Sequence, residues 1–191
     1  MPHDRFAESC PPRAATLEVI CGPMFAGKTT ALRSAIDRAR AAGLRVAVVK
    51  PARDTRYAAD AIVTHAGERT EAHAVRSLDE ALALEADLVA VDEVHFFASE
   101  AVAPIDALLA RGTSVVVAGC DIDHFGGVFA PFDALLPRAH SVRRIAGTCV
   151  RCGAPSTHSE RLVPITDRII VGGIGDFVAT CAACFRPCVR P

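Results

Sequence analysis

At 191 residues, 51% of them hydrophobic, the chain suits one domain with a small appendage and can bury a sizeable core. A formal net charge of −1, with no block of lysine or arginine, argues against a nucleic-acid groove or an anionic membrane surface as partner. No run approaches the roughly 18–20 apolar residues that span a bilayer, and the polar, proline-bearing start lacks a signal peptide's apolar segment, so a cytoplasmic location is expected.

In chain order, residues 1–15 read as a flexible arm. Leu17 to Cys21 is an apolar run that reads as a buried strand, and Thr30 to Arg40 reads as a helix. Between them stands Gly22-Pro23-Met24-Phe25-Ala26-Gly27-Lys28-Thr29, the pattern G-x-x-x-x-G-K-[ST] in the strand–loop–helix context that gives it meaning. Its glycines let successive N–H groups turn inward, and the helix start adds partial positive charge, so a nucleoside triphosphate is the expected ligand. Lys28 would reach the β- and γ-phosphates, and the Thr29 hydroxyl would ligate Mg²⁺. Of 21 basic residues only Lys28 and Lys50 are lysines. A chain that otherwise uses arginine keeps a compact point charge where the motif asks for one.

Ala42-Gly43 should end the helix, Leu44 to Lys50 reads as a second buried strand, and Pro51 should stop it. Ala52 to Thr70 is polar and weakly patterned, as expected of a lid. Ser77-Leu78-Asp79-Glu80 reads as the cap of a short helix. Asp87 to Glu93 is a strand ending in two acids, the form of a Walker B end: Asp92 would hold Mg²⁺, and Glu93 would be free to act as a base. A helix is expected from Ser99 to Ala110, closed by Gly112, then a strand from Thr113 to Gly119, an irregular stretch to Phe132, and a strand from Val142 to Ile145. This alternation predicts an α/β fold: a parallel sheet with helices on both faces and ligands beyond the carboxyl ends of the strands.

From Thr148 glycine and cysteine replace that rhythm. Cys149-x2-Cys152 and Cys181-x2-Cys184 form two knuckles with 28 residues between them, and four thiolates so arranged suit a closed, structural Zn²⁺ site tying the base of a long loop. Cys188 lies close enough to compete as a ligand, while Cys10, Cys21 and Cys120 read as ordinary small residues. The expected organisation is an arm over 1–15, a P-loop nucleotide-binding domain over 16–147 and a zinc-binding domain over 148–191.

Together these residues resemble the thymidine kinases of the smaller, zinc-containing class. The likeness runs from about Leu17 to Phe185 and includes the phosphate loop, Asp54-Thr55-Arg56-Tyr57, Asp92-Glu93 with Phe96-Phe97, Gly119-x-Asp121 with Phe129 and Pro131, Val171-Gly172-Gly173 and both cysteine pairs. It implies a P-loop NTPase-like sheet with a small zinc-ribbon or lasso domain, and transfer of the γ-phosphate of ATP to the 5′-hydroxyl of thymidine. Glu93 would be the base, Gly22, Met24, Phe25, Ala26, Gly27, Lys28, Thr29 and Arg56 would bind ATP phosphates, and Thr29, Asp92 and Asp54 would serve Mg²⁺. The nucleoside would meet Met24, Phe96, Phe97, Cys120, His124, Phe129, Ser159, Ile170, Val171, Gly172 and Phe177. Family members assemble as homotetramers or homodimers.

Some positions depart from the family pattern. Val94-His95 stands where Gly-Gln or Ala-Gln is usual, and His95 reads as structural because an imidazole can replace some amide hydrogen bonds. His124 falls where an aromatic near the sugar is usual, with Phe125 adjoining it. Phe177 replaces a tyrosine, Cys120 a leucine and Ser159 a threonine. These three smaller side chains suggest a roomier pocket at the pyrimidine 5-position, so a related kinase acting on another or 5-substituted pyrimidine nucleoside is the alternative. Metal removal is expected to loosen the lasso without directly changing the phosphate loop.

Overall fold

The computed structural model describes residues 14–55, 60–64, 67–164 and 171–189. The first half runs β1 (Leu17–Cys21), α1 (Lys28–Ala41), β2 (Val46–Pro51), β3 (Ala61–Val63), β4 (Arg69–Glu71), β5 (His73–Val75), a 3-10 turn over Leu78–Ala83 and β6 (Leu88–Val91). A second 3-10 run over Val94–Ala101 leads into α2 (Val102–Ala110), followed by β7 (Ser114–Gly119), α3 (Phe132–Leu135) and β8 (Ser141–Arg144). Four short strands follow: β9 (Gly147–Thr148), β10 (Pro155–Ser156), β11 (His158–Arg161) and β12 (Phe177–Thr180).

Six strands form one sheet in the order β5-β2-β6-β7-β1-β8, with every pair parallel. Side chains alternate across a strand, so each of the four central strands, β1, β2, β6 and β7, feeds two cores. Ile20, Val48, Ala90, Val116 and Ala118 pack on Leu32, Ala35 and Ile36 of α1. Their sequence neighbours Val19, Val49, Val89, Val91, Val115 and Val117 pack on Ile105 and Leu108 of α2 and on Phe132 and Leu135. Each valine, leucine, isoleucine or phenylalanine among them stabilises the fold by about 1.5–3 kcal/mol when fully buried. The expected parallel sheet, helix-covered on both faces, is the fold found. Among the described residues no helix is long and apolar enough to cross a membrane.

Several expected boundaries shift. Pro51 is the last residue of β2 and not a stop before it. The stretch expected to be structureless holds an antiparallel hairpin, β3 with β4, and β5 extends the sheet beyond it. The helix expected from Ser99 starts at Val102, because Ala98 at φ 50° and ψ −145° kinks the run before it. The Ser77 cap is found with both arms of its box, Ser77 accepting from Asp79 N and Glu80 accepting from Ser77 N.

All six parallel strands point their carboxyl ends to one side. The loop after β1 carries the glycine motif, that after β2 carries Asp54, that after β6 carries Asp92 and Glu93, and that after β7 carries Cys120. Because β7 lies between β1 and β6, Cys120 falls between the glycine loop and the two acids.

Candidate functional site

The glycine loop closes tightly. A Cβ on Gly22, at φ 147°, would lie 2.1 Å from the carbonyl oxygen of Ile145, so only glycine lets the loop leave β1 beside the end of β8. Gly27 caps α1 in the left-handed region, and its carbonyl accepts the Ala31 N–H at 3.0 Å. Lys28 is buried, and its Nζ donates to the Pro23 carbonyl at 2.7 Å across the loop. Burial works against the Lys28 ammonium. Cys120, Glu93 and Asp92 around it outweigh that and hold its pKa above the usual lysine range.

The Thr29 hydroxyl donates to Oδ2 of Asp92 at 3.0 Å, joining the helix start to the end of β6. Asp92 is buried; burial first, and then the charge of Glu93, push its carboxyl up to about 7, against the Thr29 hydroxyl and the Glu93 N–H. Glu93 has a left-handed backbone, φ 50° and ψ 43°, which turns the chain sharply after Asp92 and aims successive side chains differently. Thr29, Lys50, Asp54, Asp92 and Glu93 line one cleft together with Ala61, Ile62 and Val63 of the hairpin. The Thr29 hydroxyl, the Lys50 side chain and the carboxylates of Asp54, Asp92 and Glu93 therefore share one opening.

His95 is buried behind Glu93. Its Nδ1 lies 3.4 Å from Oε2 of Glu93 and accepts the Cys120 N–H at 3.3 Å, while its ring stacks on Phe96 at 4.5 Å and meets Phe129 at 5.2 Å. A Cβ on Gly119 would come within 3.0 Å of Nδ1, so the strand end makes room for this imidazole. The structural role expected of His95 fits this packing.

Seven of the residues expected around a nucleoside fall into three groups. Met24 meets Ser159, whose Oγ accepts the Met24 N–H at 2.8 Å. Phe97 and Phe129 belong to the α2-side core, with Met24 packed against it. His124 and Phe177 have ring centroids 6.5 Å apart, and Gly172 lies directly under the Phe177 ring. Val171 is exposed. Arg56 and Ile170 lie outside the described residues, as do Tyr57, Cys10 and the arm up to residue 13. Lys50 went unassigned in the sequence reading. Its signal was there, as the second of two lysines in an arginine-rich chain, and the structure puts Lys50 at the cleft, with Lys28 interacting with Glu93 and Asp92 of its lining.

Sγ atoms of Cys149, Cys152, Cys181 and Cys184 gather within 4.8 Å of one another. Cys188 is not in this group; its N–H donates to the His124 carbonyl. Backbone N–H groups of Cys181, Arg151 and Cys152 aim at Cys149 and pull its thiol down to about 6. The neighbouring Cys152 and Cys181 thiols push Cys184 up to about 12, since the sulfurs crowd one another. A divalent cation would relieve that crowding, so the donor set fits a closed four-sulfur Zn²⁺ site. Arg151 ties the first knuckle to Glu160 of β11 and to the Cys184 carbonyl.

A family model described as thymidine kinase matches residues 15–185. A thymidine kinase of Rhodothermus sp. (strain ITI 518) is 36% identical over 90% of this chain and 81% of its own length. One from Chloroflexus aurantiacus is 35% identical over 94% of this chain and 98% of its own. One from Deinococcus deserti is 37% identical over 86% and 91%.

Proposed function

The chain belongs to the thymidine kinase family, and we propose that Glu93 and the loop from Gly22 to Thr29 carry the family's reaction. The enzyme transfers the γ-phosphoryl group of ATP to the 5′-hydroxyl of thymidine, giving thymidine monophosphate and ADP. One observation carries the residue assignment: Thr29, Asp92 and Glu93 line a single cleft at the phosphate loop, with Lys28 beside Glu93.

In this reading the loop N–H groups and Lys28 hold the β- and γ-phosphates. The Glu93 carboxylate takes the proton of the 5′-hydroxyl as that oxygen attacks the γ-phosphorus in line, and the β–γ bridging oxygen leaves with ADP. Mg²⁺, which Thr29 and Asp92 would hold with Asp54 at the same cleft, supplies charge neutralisation over the phosphates when bound. Arg56, two residues after Asp54, is assigned the charge on the transferred group. His124, Phe177, Val171 and Gly172 are assigned to the nucleoside, together with Met24, Phe96, Phe97, Cys120, Phe129, Ser159 and Ile170. The hairpin beside the cleft is assigned the lid's work of excluding water.

The four cysteines fit structural Zn²⁺, which would hold together the two ends of the loop between Cys152 and Cys181. An arm, a P-loop domain to residue 147 and a zinc domain from 148, assembly as a homotetramer or homodimer, and a cytoplasmic location complete the proposal. Acceptance of 5-substituted pyrimidine nucleosides is a second reading, favoured by the small side chains of Cys120 and Ser159 where the family resemblance has leucine and threonine. The test is ADP release from Mg-ATP with and without each deoxynucleoside. Release that depends on thymidine is expected; equal release without any nucleoside would make the chain an ATPase.

A further inference from the structure

Glu93, His95 and Cys120 bring a carboxylate oxygen, an imidazole nitrogen and a thiol sulfur within 4.8 Å of one another. His95 Nδ1 lies at this group, 3.4 Å from Oε2 of Glu93, and accepts the Cys120 N–H at 3.3 Å, a hydrogen bond that an ion on Nδ1 would have to displace. His95 and Cys120 are buried, while the Glu93 side chain keeps 15% of its surface toward the cleft, which leaves an entry. We propose that these three side chains form a second, exchangeable cation site that takes a zinc-class divalent ion in the nucleoside-free enzyme and switches the kinase off.

The donor set decides the ion. Thiolate and imidazole select Zn²⁺, Cd²⁺ or Co²⁺, whereas Mg²⁺ favours oxygen ligands such as Thr29 and Asp92. Ligands at about 2.0–2.3 Å from a tetrahedral ion stand roughly 3.3–3.8 Å apart. The Glu93–His95 separation already meets that, and the sulfur needs to close by at most about 1 Å. Three protein ligands of mixed type leave the fourth position open, unlike the closed four-sulfur centre. Lys28 hydrogen-bonds Cys120, so an incoming ion must displace an ammonium from the sulfur as well as the thiol's proton. That cost makes the site weaker than the four-cysteine centre and therefore exchangeable.

The consequence for turnover rests on Glu93 being the base. A carboxylate held on a cation cannot accept the 5′-hydroxyl proton, and a bound nucleoside occupies the place from which the ion enters. Thymidine and the ion should exclude each other.

The test uses the full chain with its four-cysteine centre loaded and Zn²⁺ as the probe. Equilibrium dialysis of the wild type should find one Zn²⁺ equivalent beyond that centre, displaced by thymidine. His95→Gln and Cys120→Ser should each weaken the second equivalent at least about tenfold. The first equivalent, retained, reports a folded chain. Zn²⁺ should lower the wild-type rate, nitrilotriacetate should restore it, and each variant's rate with Zn²⁺ relative to its own rate without should stay near unity. Absence of a second equivalent in the wild type, or its retention in either variant, overturns the proposal. Because binding is read without turnover, its failure leaves the kinase reading standing. A chain that binds the second ion but never phosphorylates thymidine would count against the kinase reading instead.

Discussion

The side-chain oxygen of Ser159 accepts the backbone N–H of Met24 at 2.8 Å, joining β11 of the cysteine-rich unit to the phosphate loop across 135 positions of sequence. Gly147 of β9 also lies against Ala26, where an added Cβ would be 3.5 Å from the Ala26 Cα. Metal removal, expected not to change the phosphate loop directly, has an indirect route to it through these contacts. Ser159→Ala leaves the Met24 N–H without this acceptor, which should cost about 1–3 kcal/mol of stability. It should also raise KM for ATP several-fold, and chelating the zinc of the wild type should weaken ATP binding in the same direction. Steady-state kinetics and ATP titration check both; an unchanged KM for ATP would make the bond incidental.

The buried Asp92 carboxyl, pushed up to about 7, sets a pH dependence of stability. A folded-state pKa above the unfolded one means that the folded chain binds the extra proton, so stability falls as pH rises. Asp92's contribution is full below about pH 4, where the unfolded carboxyl titrates, and is lost as pH rises through about 7. Asp92→Asn keeps an acceptor for Thr29 and removes the charge. The variant should therefore gain thermal midpoint over the wild type at about pH 8 and not at about pH 4, in Mg²⁺-free buffer. A difference independent of pH would contradict this assignment.

Two glycines should respond differently to alanine. At Gly22 the new methyl would meet the Ile145 carbonyl at 2.1 Å, backbone against backbone, with φ in the left-handed region. At Gly119 it would meet His95 Nδ1 at 3.0 Å and the Phe132 ring at 3.2 Å, side chains that can yield. Urea unfolding should give a loss of roughly 1–3 kcal/mol for Gly119→Ala, the usual overpacking cost. Gly22→Ala should exceed it and abolish ATP binding.

Substrate breadth tests the smaller side chains at Cys120, Ser159 and Phe177. About 1–3 kcal/mol of discrimination per methylene would let kcat/KM for 5-ethyl-deoxyuridine approach that for thymidine. A steep preference for thymidine would remove the second reading. Ser159 bears on it directly, since its hydroxyl is engaged with Met24.

What could be read from the sequence was what is local. The glycine motif, the apolar strand ending in Asp92-Glu93 and the two cysteine knuckles each fix chemistry within a few residues, and the βα alternation fixes a parallel sheet. Strands of three residues escaped, because Ala61–Val63 and Arg69–Glu71 are too short for alternation to show. The delayed start of α2 escaped because the kink lies at Ala98, an alanine with positive φ that no propensity marks. Long-range meetings escaped for a different reason. Ser159 with Met24, and His95 with Cys120, follow from strand order and the packing of the cysteine-rich unit, neither of which any window of sequence contains.

The account depends most on the Glu93 carboxylate beside the 5′-hydroxyl. Glu93→Gln keeps the side chain's shape and loses the base, so single-turnover phosphoryl transfer from Mg-ATP to thymidine should slow by about 10²–10⁴-fold while both substrates still bind. A transfer rate within a few-fold of the wild type would contradict Glu93 as the base.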